Sequence, residues 1–113
     1  SPSSCSQLVP HSSGRLFWLG NLCETNPRGN GPRYPMMIGE VDPVRGCLRR
    51  DSLAAVDQRA PDESERLFLS NFHAREDRET GEIRLCMWRP FARQVEGQPL
   101  DWTTPLYGYR IGV

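Results

Sequence analysis

The chain has 113 residues, 37% of them apolar, and its 14 basic residues, all arginine, balance 14 acidic ones to a formal net charge of zero. That balance excludes the broad cationic field through which proteins attract nucleic acid or anionic membranes. Apolar runs are only a handful of residues long, as at 16–19 or 36–38, which excludes a transmembrane helix.

Short stretches rich in aromatic and aliphatic residues recur between turn signals, and none sustains the i, i+3, i+4, i+7 spacing of an amphipathic helix. Residues 1–10 lack the basic and apolar regions of a secretory signal. The first expected strand covers residues 15–20. A glycine- and proline-rich loop follows over residues 26–35, where Pro27, Pro32 and Pro35 each remove a backbone donor. Further strands are expected at residues 35–41, 52–56, 66–70, 82–88 and 106–113. Asp42 to Gly46 and Asp77 to Gly81 share an Asp-x-x-x-Gly pattern and read as turns, the second placed before a strand and the first after one.

The string RLFWLGN at 15–21 returns as RLFLSNF at 66–72, an offset of 51 residues. That spacing suits one blade of a β-propeller. The expectation is therefore an all-β chain of one to two blades, antiparallel four-stranded sheets over residues 14–60 and 65–113, covered on their flanks by the remaining blades of a larger propeller. A β-sandwich of about six strands is the alternative that the same alternation supports.

Cys5, Cys23, Cys47 and Cys86 contain no CxxC pair, and His11 and His73 are the only histidines, so no metal site is expected. Cys47 and Cys86 fall in strand-like sequence and read as small buried thiols. Trp18 and Trp88 read as core residues, whereas Trp102, in a proline-flanked stretch, reads as outward-facing. No nucleophile elbow, phosphate-binding glycine loop or EF-hand is present, and no cofactor is expected.

Two segments could carry chemistry. In NLCETNPRGNGPRY, residues 21–34, Arg33 directly precedes a strand, so its backbone is fixed while its guanidinium reaches the rim, where a fork of donors suits a carboxylate. Tyr34 adjoins it. Residues 71–79 are dense in acids, bases and hydrogen-bonding groups, among which Asn71, His73 and Glu76 lie nearest the strand end, while Glu79, Thr80 and Gly81 look like turn residues.

RLFWLGN, NPRGNGPRY and MMIGEVDP in succession, followed by ERLFLSNF and EDRETGEIRLCMWR, resemble the distal blades of the sialidase superfamily of glycoside hydrolases over residues 14–89. The resemblance implies a six-bladed propeller with a central pocket, in which Arg33 matches the last member of the arginine triad that grips a sugar carboxylate. It implies a glycan ligand gripped by Arg33 and a secreted or periplasmic protein; Tyr34, Asn71, His73 and Glu76 are the further candidates for contacting that ligand. The family's nucleophilic tyrosine should follow near SNFHARED, where this chain has Phe72 and His73. The functional expectation is the C-terminal part of a sialidase-like carbohydrate-active protein, inactive by itself; a non-catalytic propeller that binds a partner around Trp102 and the NPRGNGPRY loop is the alternative.

Overall fold

The computed structural model describes residues 4–113, and it is all-β apart from one 3-10 turn at Arg50–Ser52. The first sheet contains β1 (Ser6–Pro10), β2 (Leu16–Asn21), β3 (Met36–Asp42), β4 (Cys47–Leu48) and β5 (Ala54–Asp57), joined throughout by antiparallel pairing. β4 and β5 share one edge of β3. Val41 and Asp42 pair with Leu48 and Cys47, while Met36, Met37 and Ile38 pair with Asp57, Ala55 and Ala54. The sheet is thus four strands wide, with the 3-10 turn as a break in its outer strand.

The second sheet is the antiparallel meander β6 (His73–Asp77), β7 (Glu82–Trp88) and β8 (Leu106–Ile111), one strand narrower than expected. Among the described residues the two sheets form no closed ring or barrel, and no helix is long and apolar enough to cross a membrane.

Alternation along each strand decides which face is buried. Phe17, Leu19 and Asn21 of β2 and Ile83, Leu85 and Met87 of β7 point into one shared core, which also holds Val9, Met36, Ile38, Leu67, Leu69 and Ala74. The sheets also meet along β1 and β6. The Gln7 side-chain amide donates to the Ala74 carbonyl at 2.6 Å and accepts from the Ala74 amide at 2.9 Å, pairing with β6 as a strand would. That bidentate contact covers a backbone edge otherwise open to pairing.

The two outer faces differ. On the first sheet, Trp18 lies so close over Gly20 that a Cβ there would sit 2.4 Å from the Trp18 ring, and Leu8 beside them is 55% exposed. The outer face of the second sheet is charged. Arg84 lies 3.1 Å from Asp77 and 3.4 Å from Glu82, and Arg110 lies 3.0 Å from Glu82.

Several expectations change. Residues 66–70 form no strand: Arg66 lies in a turn closed by the Leu67 amide on the Ser64 carbonyl, and the segment makes one isolated parallel bridge, from Phe68 to Arg33. In the first copy of the RLF string Phe17 and Leu19 are buried, but in the second Leu67 and Leu69 are, so the offset of 51 residues puts opposite faces in register. The structural repeat is instead the Asp-x-x-x-Gly turn. Gly46 and Gly81 both adopt left-handed φ, 64° and 70°, and donate to the carbonyls of Asp42 and Asp77 at 2.8 and 2.7 Å. The Asp42 and Asp77 carboxylates each accept an amide two residues on. β1 and β6 are strands not expected from the sequence. Cys47 and Cys86 are exposed and all four cysteines are free. Trp18 and Trp88 are half-buried on outer faces and lie outside the core; Trp102 is exposed, as expected.

Packing by one face predicts a contrast between neighbours in β7. Leu85→Ala, in the core, is expected to lower the unfolding free energy by about 2–5 kcal/mol, whereas Cys86→Ala, on the outer face, should stay within about 0.5 kcal/mol of the parent; urea denaturation of both variants checks this.

Candidate functional site

Strand direction separates the molecule into two ends. The long connections, residues 22–35, 58–72 and 89–105, gather at the end where β2, β5 and β7 finish and β3, β6 and β8 begin. Short hairpin turns occupy the opposite end. Loops raised on a rigid scaffold are where binding groups concentrate, and the loop-bearing end is the candidate site.

Its centre is a clasp between the sheets. The Arg33 carbonyl accepts from the Leu69 amide at 2.9 Å. Asn21, 1% exposed, donates through Nδ2 to the carbonyls of Pro35 and Leu69 at 3.0 and 2.9 Å. With its backbone pinned, Arg33 extends its guanidinium over the Phe68 ring, 4.2 Å from the centroid, and donates from Nε to the Asn30 carbonyl at 2.8 Å. Asn71, in a left-handed turn with φ 54°, closes the same segment and accepts from the Cys5 thiol at 3.5 Å. Asparagine tolerates that conformation better than most residues. Tyr34 packs its half-buried ring against the core, with Arg59 at 5.5 Å on its face.

Arg33, Tyr34 and Asn71 thus lie along one junction of the chain, but their side chains have separate partners: Phe68 and Asn30 for Arg33, Arg59 for Tyr34 and Cys5 for Asn71. His73 starts β6 nearby but is exposed on the outer face of the second sheet, opposite Cys86. Glu76 lies at the hairpin end. Its carboxylate accepts from the Ser12 amide at 3.1 Å and from the Ser12 hydroxyl, with His11 Nε2 at 3.4 Å. The Ser12 hydroxyl, against opposing burial, holds the Glu76 carboxyl below its ordinary range. Ser13 Oγ is 2.7 Å from His11 Nδ1, but Nδ1 also accepts the Ser13 amide, and His11 Nε2 donates to the Gly81 carbonyl at 2.9 Å. The cluster ties one turn to another, and Glu76 also lines surface clefts beside Arg75 and Arg78.

A second group at the loop-bearing end had no signature in the sequence. Arg89 bridges two carboxylates: Nη2 reaches Glu63 at 2.6 and 2.8 Å, and Nη1 pairs with Asp57. The Tyr109 hydroxyl donates to the other Asp57 oxygen at 2.5 Å, and the Ala60 amide donates to Glu63 at 2.8 Å. Burial opposes the Arg89 charge, but the hydrogen bonds to Asp57 and Glu63 outweigh it and hold the pKa above the usual guanidinium value. Burial also raises Glu63, yet the Ala60 amide and Arg89 leave its carboxyl below the ordinary range. Burial, then the bond to Asp57, pushes the Tyr109 phenol up. Tyr109 thus stays protonated at neutral pH; the network is a strut beside a cavity of about 360 Å³ lined by Glu63, Arg89, Phe91, Asp101, Thr103 and Tyr107 among others. Its members lie 6 to 52 residues apart in the chain, a separation no local motif reveals.

Comparison with protein-family models, with curated proteins and with solved structures finds no match to this chain.

The strut predicts two pH limits. Because the Glu63 carboxyl is depressed in the folded state, its contribution to stability is complete above its unfolded pKa and is lost as pH falls through the folded value. Because the Tyr109 phenol is raised, its contribution is complete below about pH 10 and is lost as pH rises through the folded value. Urea midpoints measured from pH 3 to 11 should show the acid loss and the onset of the alkaline one, with Glu63→Gln removing part of the first and Tyr109→Phe part of the second. Arg89→Met, which strands two carboxylates, is expected to cost about 2–3 kcal/mol at pH 7.

Proposed function

We propose that this chain supplies two neighbouring blades of a sialidase-like β-propeller, and that its loop-bearing end binds an acidic glycan with Arg33 gripping the sugar carboxylate. The observation that carries this reading is the placement of Arg33, its backbone locked to Leu69 and its guanidinium laid on Phe68 at 4.2 Å. A cation held in this way loses little side-chain freedom when it captures a planar anion, which favours a bidentate contact.

Three further features support the blade reading. Two successive up-and-down antiparallel sheets pack face to face. The first presents an outer face with Leu8 and Trp18, of the kind a preceding blade covers. The radius of gyration is 14.9 Å, above the roughly 13 Å of a self-contained domain of this length.

The same residues argue for binding here and not for bond cleavage. A glycosidase of this type needs a nucleophile and an acid carboxyl flanking the scissile bond. Phe72 follows Asn71 where a tyrosine is required, and Glu76 is committed to Ser12 at the far end. A second reading, a non-catalytic propeller serving as a scaffold, draws on the bond from Arg33 Nε to Asn30, since that bond also shapes the loop.

Thermal unfolding against a panel of acidic and neutral glycans separates the two. An acidic sugar should stabilise the parent and bind Arg33→Ala about tenfold to a hundredfold more weakly, the loss expected of a charge-assisted contact. The glycan reading is abandoned if no sugar in the panel shifts the parent.

A further inference from the structure

Three of the four sheet edges are blunted. β1 and β6 meet each other, with the Gln7 side chain pairing to the Ala74 backbone. The outer edge of the first sheet is interrupted between β4 and β5 by the turn at Arg50–Ser52, beside which Arg49 is paired with Glu40 and Asp51.

β8 is the fourth edge, and it has none of these protections. It pairs with β7 in unbroken register from Leu106 to Ile111, without a bulge, a proline or a lysine. Among the described residues, no backbone hydrogen bond reaches it from any side but that of β7. Its one charge, Arg110, is turned onto both carboxylate oxygens of Glu82 at 3.0 and 3.1 Å. Leu106 is 71% exposed and Tyr107 43%. A regular edge with free donors and acceptors is a template for a further strand, and proteins ordinarily cover, charge or bend such an edge.

The sequence of β8 is self-complementary about Tyr109. Tyr107, Tyr109 and Ile111 lie on the core side of the sheet, opposite Met87, Leu85 and Ile83, while Leu106, Gly108 and Arg110 lie on the outer side, opposite Trp88, Cys86 and Arg84. An antiparallel copy with its two-fold axis at Tyr109 keeps the core sides of both copies on one side of the joined sheet. In that register Tyr107 meets Ile111 of the copy, an aromatic against a β-branched side chain, and the pair occurs twice. Arg110 meets Gly108 of the copy, so the charges of the two strands do not oppose each other.

We infer that β8 is a dimerisation edge, through which two copies of this chain join about a two-fold axis at Tyr109 into one continuous antiparallel sheet of β6-β7-β8 from each copy. Pairing stops at two copies, because β6 at the far edge of each sheet is already taken by Gln7. One strand pair buries little area, so the association is weak and forms at high concentration. The inference concerns an edge outside the Arg33 junction and is independent of the glycan reading.

Sedimentation equilibrium of the chain from about 5 µM to about 0.5 mM tests it. The mass should rise from one chain to two. An added Cβ at Gly108 has nothing within 4 Å, so variants there should unfold at the urea midpoint of the parent. Gly108→Lys, which sets a cation against Arg110 of the copy at both symmetric positions, should weaken the dimer about tenfold. Gly108→Glu, the opposite charge at the same place, should leave it as tight as the parent or tighter. A chain that stays single throughout the range overturns the inference and leaves the edge to a strand of another protein. A dimer equally strong in Gly108→Lys and the parent also overturns it, since the interface then lies elsewhere. Equal weakening by both variants overturns the register about Tyr109.

Discussion

The arrangement of the two sheets depends on one buried amide. Asn21 ends β2 inside the core, and its Nδ2 links the Pro35 carbonyl, at the start of the first sheet's central hairpin, to the Leu69 carbonyl in the segment that leads into the second sheet. An apolar residue of the same size would fill the space but leave two carbonyls without that donor, at a cost of about 1–3 kcal/mol for each one left unsatisfied. Asn21 Oδ1 and Ser70 Oγ are also buried and have no hydrogen-bond partner among the described residues. Polar atoms are thus concentrated at this junction, in contrast to the aliphatic centre of the core, and the alignment of the sheets there is directional where hydrophobic packing alone is not.

From that junction the molecule acquires its asymmetry. The hairpin end is closed by short turns and by the Ser12, His11 and Glu76 contacts, which join the β1–β2 turn to the β6–β7 turn. The other end carries the three long connections, and their residues interlock across the sheets: Arg33 with Leu69, Phe68 with Pro90, and Ser64 with Ala92. A rigid base at one end and raised loops at the other is the usual division of labour between stability and binding on a β scaffold.

The arginines illustrate how one residue type is put to different uses by position. Arg84 and Arg110 lie in the charged outer face of the second sheet, where exposure limits each ion pair to a small contribution. Arg89 is enclosed and bound by two carboxylates, which makes it a structural strut. Arg33 is anchored through its backbone, with its guanidinium stacked on the Phe68 ring and its Nε donating to the Asn30 carbonyl.

Composition and alternation were enough to establish an all-β chain, the strand at 82–88, the cores of β2 and β3, and the two Asp-x-x-x-Gly turns, because each of these is dictated by neighbours within a few residues. The same local information misread the RLF string as a repeated strand, since an extended segment and a paired strand share one composition and differ only in whether a partner backbone lies alongside. It missed β6, whose HARED sequence is polar on its outer face and relies on Gln7 and β7 for its edges. Arg33, Tyr34 and Asn71 could be picked out from loop chemistry, but the contact of the Arg33 backbone with Leu69 was decided by the tertiary structure, and the separation of Glu76 from them followed from strand direction. The Asp57, Arg89, Glu63 and Tyr109 strut and the ring contact of Phe91 with Trp102 were decided by tertiary structure alone, because hydrogen bonds and ring contacts between distant segments leave no periodic trace in the chain.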